Sequence, residues 1–197
     1  MSANAVSVRM RRMIAPLHTG SQSITIRQLS ALEFVALLPD LIELFIETAN
    51  VDSADGFLAP IARAVARDYW ISLIPELEGG SRLILVAYRE NVVAGSAQLA
   101  LSRLSNSSHH AELESFFVER ASRGQGIGRS LMQALHCVAR QNGRTLILLS
   151  TRRGEPAEDF YKALGYREME AIPGWTIDPA EERDDHVTLY QELAPVN

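Results

Sequence analysis

The period of the apolar positions changes several times along the chain, and each change marks an element. Ile24-Thr25-Ile26-Arg27 alternates and is β-branched, which predicts a strand. Ser30 with Glu33 three residues later is a capping box and predicts a helix start. Pro39 is expected to end that short helix and open a second, in which Leu41, Leu44, Phe45 and Ala49 recur at helical spacing. Asn50 to Gly56 reads as a polar turn. A further helical stretch is expected from about Ala59 to Leu77, broken by Glu78-Gly79-Gly80-Ser81.

The middle of the chain reads as strands. Leu83 to Tyr88, Val92 to Leu104 and Ala111 to Val118 are separated by short turns at Arg89-Glu90-Asn91 and Ser105 to Ser108. Turns this short exclude parallel crossovers and predict an antiparallel meander. Gly126 to Gln141 is helical, with Ile127, Leu131, Leu135 and Val138 on one stripe and Gly143 as the stop. Thr145 to Ser150 reads as a strand and Glu155 to Leu164 as a helix ended by Gly165. Tyr166 to Ile172 and His186 to Leu193 read as strands joined by a long loop, Pro173 to Asp185. The order predicts an α/β (α+β) fold: a mixed sheet with helices packed on it.

Composition narrows the class. With 197 residues the chain is long enough for one domain, expected over 23–197. Residues 1–22 read as a flexible extension: Arg9, Arg11 and Arg12 precede an apolar stretch too short and proline-broken for a secretory signal. A net charge of −5 argues against a nucleic-acid partner. Apolar runs are too short to span a bilayer, so no membrane partner is expected. The single cysteine, Cys137, excludes a disulfide framework and a multi-cysteine metal site, and no metal is expected. Cys137 lies mid-helix and reads as core, not as a nucleophile. A reducing, cytoplasmic compartment is the expectation.

The segment with chemistry is Val118-Glu119-Arg120-Ala121-Ser122-Arg123-Gly124-Gln125-Gly126-Ile127-Gly128-Arg129. A strand runs into a glycine-rich turn and then a helix. Glycines let backbone approach a ligand closely, and the first helical N–H groups lack internal partners. Together these suit a pyrophosphate or similar anion, with Arg123 and Arg129 adding positive charge. The spacing does not fit the Gly-x-Gly-x-x-Gly dinucleotide fingerprint, and Gly128-Arg129-Ser130 lacks the P-loop lysine. A glycine turn that merely connects two elements is the other reading of this segment alone.

Arg123-x-x-Gly126-x-Gly128 at a strand-to-helix junction resembles the acyl-CoA-binding motif of the GCN5-related N-acetyltransferase (GNAT) family. Downstream, Ala157-Glu158-Asp159-Phe160-Tyr161-Lys162-Ala163-Leu164-Gly165-Tyr166 resembles that family's second signature. The resemblance covers about residues 23–193. Stretches at Asp52 to Leu58, Ala97-Gln98-Leu99 and Pro173-Gly174-Trp175 resemble the tabtoxin-resistance branch. The implied fold is a mostly antiparallel sheet of about seven strands with helices on both faces. The implied cofactor is acetyl-CoA.

The resemblance also implies roles. Phe116, Phe117 and Val118 would form a splayed strand edge beside the pantetheine arm, with the Val118 N–H at the thioester carbonyl. The N–H groups of Gly124, Gln125, Gly126, Ile127, Gly128 and Arg129 would hold the pyrophosphate, helped by the Arg123 and Arg129 charges. Tyr161 matches the tyrosine that protonates the departing thiolate. Gly154 stands where many members carry a cofactor-contacting asparagine. Glu112 sits where the histone-acetylating branch places its base. Glu114, two residues on, shares its strand face, and such a pair pushes one carboxyl upward. His109 and His110 read as surface residues. Asp52, Asp55, Phe57, Tyr69, Trp70 and Trp175 are the acceptor-side candidates. The implied reaction is direct acetyl transfer to a primary amine of a small molecule, an amino-acid-like compound or an amine antibiotic. A protein or peptide acceptor, or a non-catalytic acyl-CoA-binding module, is the alternative. Homodimers are common in the family.

Overall fold

A computed structural model of the chain describes residues 24–52, 57, 59–177 and 182–194. The expected extension 1–22 and the candidate Asp55 lie outside the described residues, as does the side chain of Asp52. The elements are β1 (Ile24–Gln28), α1 (Ala31–Asp52), α2 (Arg63–Ser72), α3 (Ile74–Glu78), β2 (Arg82–Arg89), β3 (Val92–Leu101) and β4 (His110–Val118). They continue with α4 (Ile127–Gln141), β5 (Leu146–Arg152), α5 (Pro156–Ala163), β6 (Arg167–Ile177) and β7 (Arg183–Glu192).

The strands form one seven-stranded sheet in the order β1-β2-β3-β4-β5-β7-β6. Every neighbouring pair is antiparallel except β4–β5. Glu90 and Asn91, with φ of 53° and 66°, close the β2–β3 hairpin in the left-handed conformation that a two-residue turn of matching twist requires. Alternate strand residues face opposite layers. Leu83, Leu85, Leu99, Ile147 and Leu189 meet Ile127, Leu131 and Leu135 of α4. Ile84 and Val86 meet Phe34, Leu41 and Phe45 of α1 and Trp70 of α2. Phe34, Phe45 and Trp70 are fully buried, and each such side chain contributes about 1.5–3 kcal/mol over an exposed one.

Four expectations are corrected. Helix α1 runs through Pro39 without ending. Pro39 and Val35 both face solvent, so water can satisfy the carbonyl that loses its amide partner. Buried Phe34 and Leu41 hold the helix on either side of the break. The stretch 59–77 is not one helix: α2 starts at Arg63 and stops before Pro75, which lies in the first turn of α3. Of the expected loop 173–185, residues 173–177 and 183–185 are strand. Ile172↔His186 pairing resumes as Thr176↔Asp184, and a bulge between them takes up Pro173 and Gly174. β6 is the sheet edge, where a proline deprives no neighbour of a ladder bond. Cys137 is exposed, because it lies off the Ile127–Leu131–Leu135–Val138 stripe.

A part-buried titratable pair lies away from these glycine and carboxylate motifs. His136 on α4 shares a 2.9 Å hydrogen bond with the Tyr166 hydroxyl. Burial, then the Arg140 charge, lowers the imidazole from 6.5 to about 4. A depressed histidine contributes stability above its unfolded value and loses it as pH falls through its folded value. The melting temperature should therefore fall between pH 6.5 and about 4, and less steeply in His136→Gln. Equal slopes in thermal scans of the two proteins would contradict this.

Candidate active site

The glycine turn joins β4 to α4. Gly124 and Gly126 have φ of 72° and 84°, and a Cβ on either would meet nothing within 4 Å. These glycines are there for backbone conformation and leave open space over the turn. Gly126 caps α4, whose Ser130 N–H donates to the Gly126 carbonyl at 3.0 Å. The N–H groups of residues 127–129 therefore have no partner within the helix. Gly128 plays a different part: its Cβ would stand 3.3 Å from Phe160 and 3.5 Å from Phe116, so the missing side chain lets helix and rings pack. Arg123 is exposed and its Nε donates to the Val118 carbonyl at 3.0 Å. Arg129 is exposed. Gln125 is committed to the protein, accepting from Arg89 at 3.1 Å and donating to the Ala121 carbonyl at 3.1 Å. Ser122 bonds Glu119 beneath the turn. The side chain of Ile127 is buried, so only its backbone faces the turn. Positive-φ glycines, open space and unpaired helical N–H groups fit a bound pyrophosphate.

β4 leads into this turn and diverges from β5. The two strands pair only from His110↔Leu146 to Glu112↔Leu148, although β4 runs on to Val118 and β5 to Arg152. The departure coincides with a bulge. Ser115 has φ of 42°, a conformation that costs a serine of order 1–3 kcal/mol. The β3–β4 register shifts opposite it, between Ser96 and Gln98. The extra residue reverses the facing of the strand end: Leu113 belongs to the α4 layer, whereas Phe117 belongs to the α1–α2 layer. Phe116 thereby stacks on Phe160 of α5 at 5.7 Å between centroids and meets Tyr161 edge-on at 6.0 Å. Tyr161 is buried, packed also against Tyr166.

On the opposite face a polar network lies under α2 and α3. Arg82, 6% exposed, donates from Nε to Glu76 at 2.8 Å and from Nη1 to Glu114 at 2.6 Å and Gln98 Oε1 at 2.9 Å. Gln98 Nε2 donates to the Tyr69 hydroxyl oxygen at 3.2 Å, and Tyr69 Oη lies 2.6 Å from Ser115 Oγ. Glu114 is therefore engaged by Arg82. Glu112, beside it, is raised above the usual carboxylate range by partial burial and next by the Glu114 charge, with Arg82 opposing. Arg82, Gln98 and Ser115 were not among the expected site residues. The available signal was a polar residue at an inward position of an apolar strand, Arg82 before Leu83-Ile84-Leu85 and Gln98 between Ala97 and Leu99.

The acceptor-side candidates separate. Trp70 is 0% exposed and wedged among Phe34, Phe45 and Phe117, so it packs as core and not at the surface of the acceptor side. Phe57 and Tyr69 are half-buried and meet edge-on at 5.2 Å. Trp175 stands exposed on edge strand β6. His110 opens β4 with His109 in the turn just before it, their rings edge-on at 4.2 Å.

The β5–α5 turn carries a second feature not anticipated. Gly154, with φ of 81°, donates its N–H to Glu158 at 2.7 Å. Lys162 donates to Glu158 at 2.6 Å and to Glu168 at 3.2 Å, and Arg153 to Glu168 at 2.6 Å. The Lys162 bond, then the Gly154 N–H, holds the Glu158 carboxyl below its usual range. Gly154 thus ties the β5–α5 turn to Glu158 through its N–H.

Known proteins resemble this chain in sequence and fold. Residues 80–168 match the family model described as an acetyltransferase (GNAT) domain. The chain is 31% identical over 119 residues to an uncharacterized N-acetyltransferase of the hisH-hisA intergenic region of Azospirillum brasilense, spanning 58% of this chain and 68% of that one. Among solved structures, ribosomal-protein-alanine N-acetyltransferase from Brucella melitensis superposes with a TM-score of 0.69 at 23% identity, over 85% of this chain and 99% of that one. The yncA protein of Salmonella typhimurium, solved with its cofactor acetyl-CoA, superposes with a TM-score of 0.67 at 19% identity, over 87% and 94%. The narrower likeness to the tabtoxin-resistance branch has no counterpart among these relatives. The seven-stranded sheet, the divergent β4–β5 pair and the glycine turn together with these matches place the chain in the GNAT family, as an acetyl-CoA-dependent N-acetyltransferase.

Proposed function

We propose that the acceptor is the primary amine of a small molecule. One observation carries this reading: Glu112 and Glu114 lie beside the β4 bulge on the face edged by half-buried Phe57 and Tyr69. Carboxylates beside aromatic side chains, whose ring faces attract cations, suit an ammonium group on a partly apolar body. On the β6 side Trp175 stands exposed on the edge strand, so the reading rests on the Phe57–Tyr69 side.

The turn N–H groups of residues 124–129, with Arg123 and Arg129, would hold the pyrophosphate, and the backbone of 116–118 would line the pantetheine arm and the thioester. Bound acetyl-CoA supplies an acetyl group already activated as a thioester. Glu112 takes a proton from the acceptor ammonium, directly or through water, because only the free amine attacks. The Val118 N–H faces the developing oxyanion. The Tyr161 hydroxyl gives a proton to the departing sulfur. As the C–N bond forms and the C–S bond breaks, the second proton of the amine nitrogen would pass through water to the Tyr161 oxygen, leaving an amide, a free thiol and a neutral tyrosine.

Thermal unfolding with acetyl-CoA, CoA and ATP tests the donor side, and thiol release across an acceptor panel tests the rest. Ligand at ~100 times Kd adds about 2.7 kcal/mol, a rise of a few degrees for a chain of this size. Both CoA forms should give that rise and ATP none. Small amines with an apolar body should release thiol faster than a peptide beginning with alanine. Faster turnover of the peptide would overturn the small-molecule assignment.

A further inference from the structure

The bulge in β4 needs an explanation, because nothing local to the sequence demands it. Ser115 sits at φ of 42°, where glycine is the favoured residue. What holds it is a contact from another layer. Ser115 is 6% exposed, and its Oγ lies 2.6 Å from the Tyr69 hydroxyl on α2. Tyr69 is held in turn. Arg82 donates to Gln98 Oε1 at 2.9 Å, which turns the amide nitrogen of this fully buried glutamine toward Tyr69 Oη at 3.2 Å. Phe45 stacks on the Tyr69 ring at 5.4 Å, and Phe57 meets it edge-on. The hydroxyl has little freedom to leave Ser115.

We propose that Tyr69 is a positioning residue: through Ser115 Oγ it pins the β4 bulge that turns the 116–118 backbone out of the β4–β5 ladder and toward acetyl-CoA. The inference rests on the reading of residues 116–118 as the cofactor edge. It goes beyond that reading by assigning the edge's geometry to a side chain of the acceptor-side layer. The bulge lies directly between the last β4–β5 pair, Glu112↔Leu148, and Phe116. Losing it would restore the strand's alternation and turn Phe116 away from Phe160. Tyr69 also edges the acceptor face, so an acceptor that touches it acts on the cofactor edge through one hydroxyl pair.

The test compares Ser115→Ala, Ser115→Gly, Tyr69→Phe and the double variant Tyr69→Phe/Ser115→Gly. Titration calorimetry with CoA gives affinity, and amide exchange of residues 115–118 in the ligand-free protein reports the bulge itself. Tyr69→Phe and Ser115→Ala should bind CoA about three- to tenfold more weakly, the worth of one partly buried hydrogen bond, and exchange faster. Ser115→Gly should stay close to the wild type, since glycine takes a positive φ without a clamp. The double variant should regain most of what Tyr69→Phe loses. A purely structural role for Tyr69 would leave Ser115→Gly as weak as Ser115→Ala and give no rescue. Unchanged exchange and unchanged CoA affinity in both Tyr69→Phe and Ser115→Ala would overturn the proposal. If exchange rises in those variants while CoA affinity holds, the clamp is real but 116–118 is not the cofactor edge, and the proposal fails on that half. Tyr69→Phe failing to fold leaves the Ser115 pair to decide the same question.

Discussion

Gly126→Val is expected to weaken CoA binding by about 100-fold or more while the chain stays folded. Gly126 sits at φ of 84° as the cap of α4, and nothing stands within 4 Å of where its Cβ would be. A valine there projects into the space over the turn. It also strains the backbone by about 1–2 kcal/mol, which lowers the melting temperature by only a few degrees. The binding loss is larger, because hydrogen bonds from backbone N–H to a charged phosphate are worth about 1.5–3 kcal/mol each and displacing the ligand forfeits more than one. Gly128→Ala is the informative contrast. Its Cβ would press on Phe160 at 3.3 Å, so it should cost stability through packing at α5 with a smaller effect on CoA. Calorimetric titration beside a thermal scan separates the two. Gly126→Val binding CoA within about threefold of the wild type would sink the assignment of this turn to the pyrophosphate.

The contrast between these two glycines shows what was legible in the sequence. A strand, a glycine turn and a helix start are written locally, so the turn could be read directly, and so could the Ser30–Glu33 box, whose bonds are 2.8 and 3.3 Å. The α4 stripe was legible because one face of a helix repeats on a fixed period, and Ile127, Leu131, Leu135 and Val138 are all buried. The short turns likewise dictated the meander. Local rules misled where tertiary context overrode them. Pro39 reads locally as a breaker, but its helix is anchored on both sides by core side chains and leaves the lost bond to water. Pro173-Gly174 reads locally as loop, but a bulge on an edge strand admits them.

The site divides along the same line. That a serine would hold a positive φ was not legible, because it depends on Tyr69 arriving from α2. The Arg82–Glu114–Gln98 network depends on the register of β2, β3 and β4, which no single segment encodes. Trp70 and Tyr69 are adjacent in sequence and alike in composition, yet one is core and the other edges the site. Helix α2 presents them about 100° apart, and only its packing angle decides which faces inward. The carboxylate pair was legible as a pair. Which member is held by an arginine, and which is raised, was not.

That asymmetry sets the second large effect: Glu112→Gln should cut turnover by about 10²-fold or more, and Glu114→Gln should move its pH dependence. Burial first, and the Glu114 charge second, raise the Glu112 carboxyl. A base is competent only above its own titration, so the acid limb of kcat at saturating acceptor should lie above the ordinary carboxylate range. Removing the Glu114 charge removes the second cause, so Glu114→Gln should shift that limb to lower pH. Arg82 acts in the opposite sense, and Arg82→Met should shift it higher. Stability gives an independent reading of the same group. A carboxyl raised in the folded state contributes stability below its unfolded titration and loses it as pH rises through the folded one. Ionised Glu112 therefore opposes folding at neutral pH, and Glu112→Gln should melt higher than wild type there and not at about pH 4. A glutamine variant that loses turnover while gaining neutral-pH stability identifies a group held in its site for chemistry at the expense of the fold. Full turnover in Glu112→Gln, with the limb unmoved in Glu114→Gln, would return the proton to solvent and leave this pair without a catalytic role.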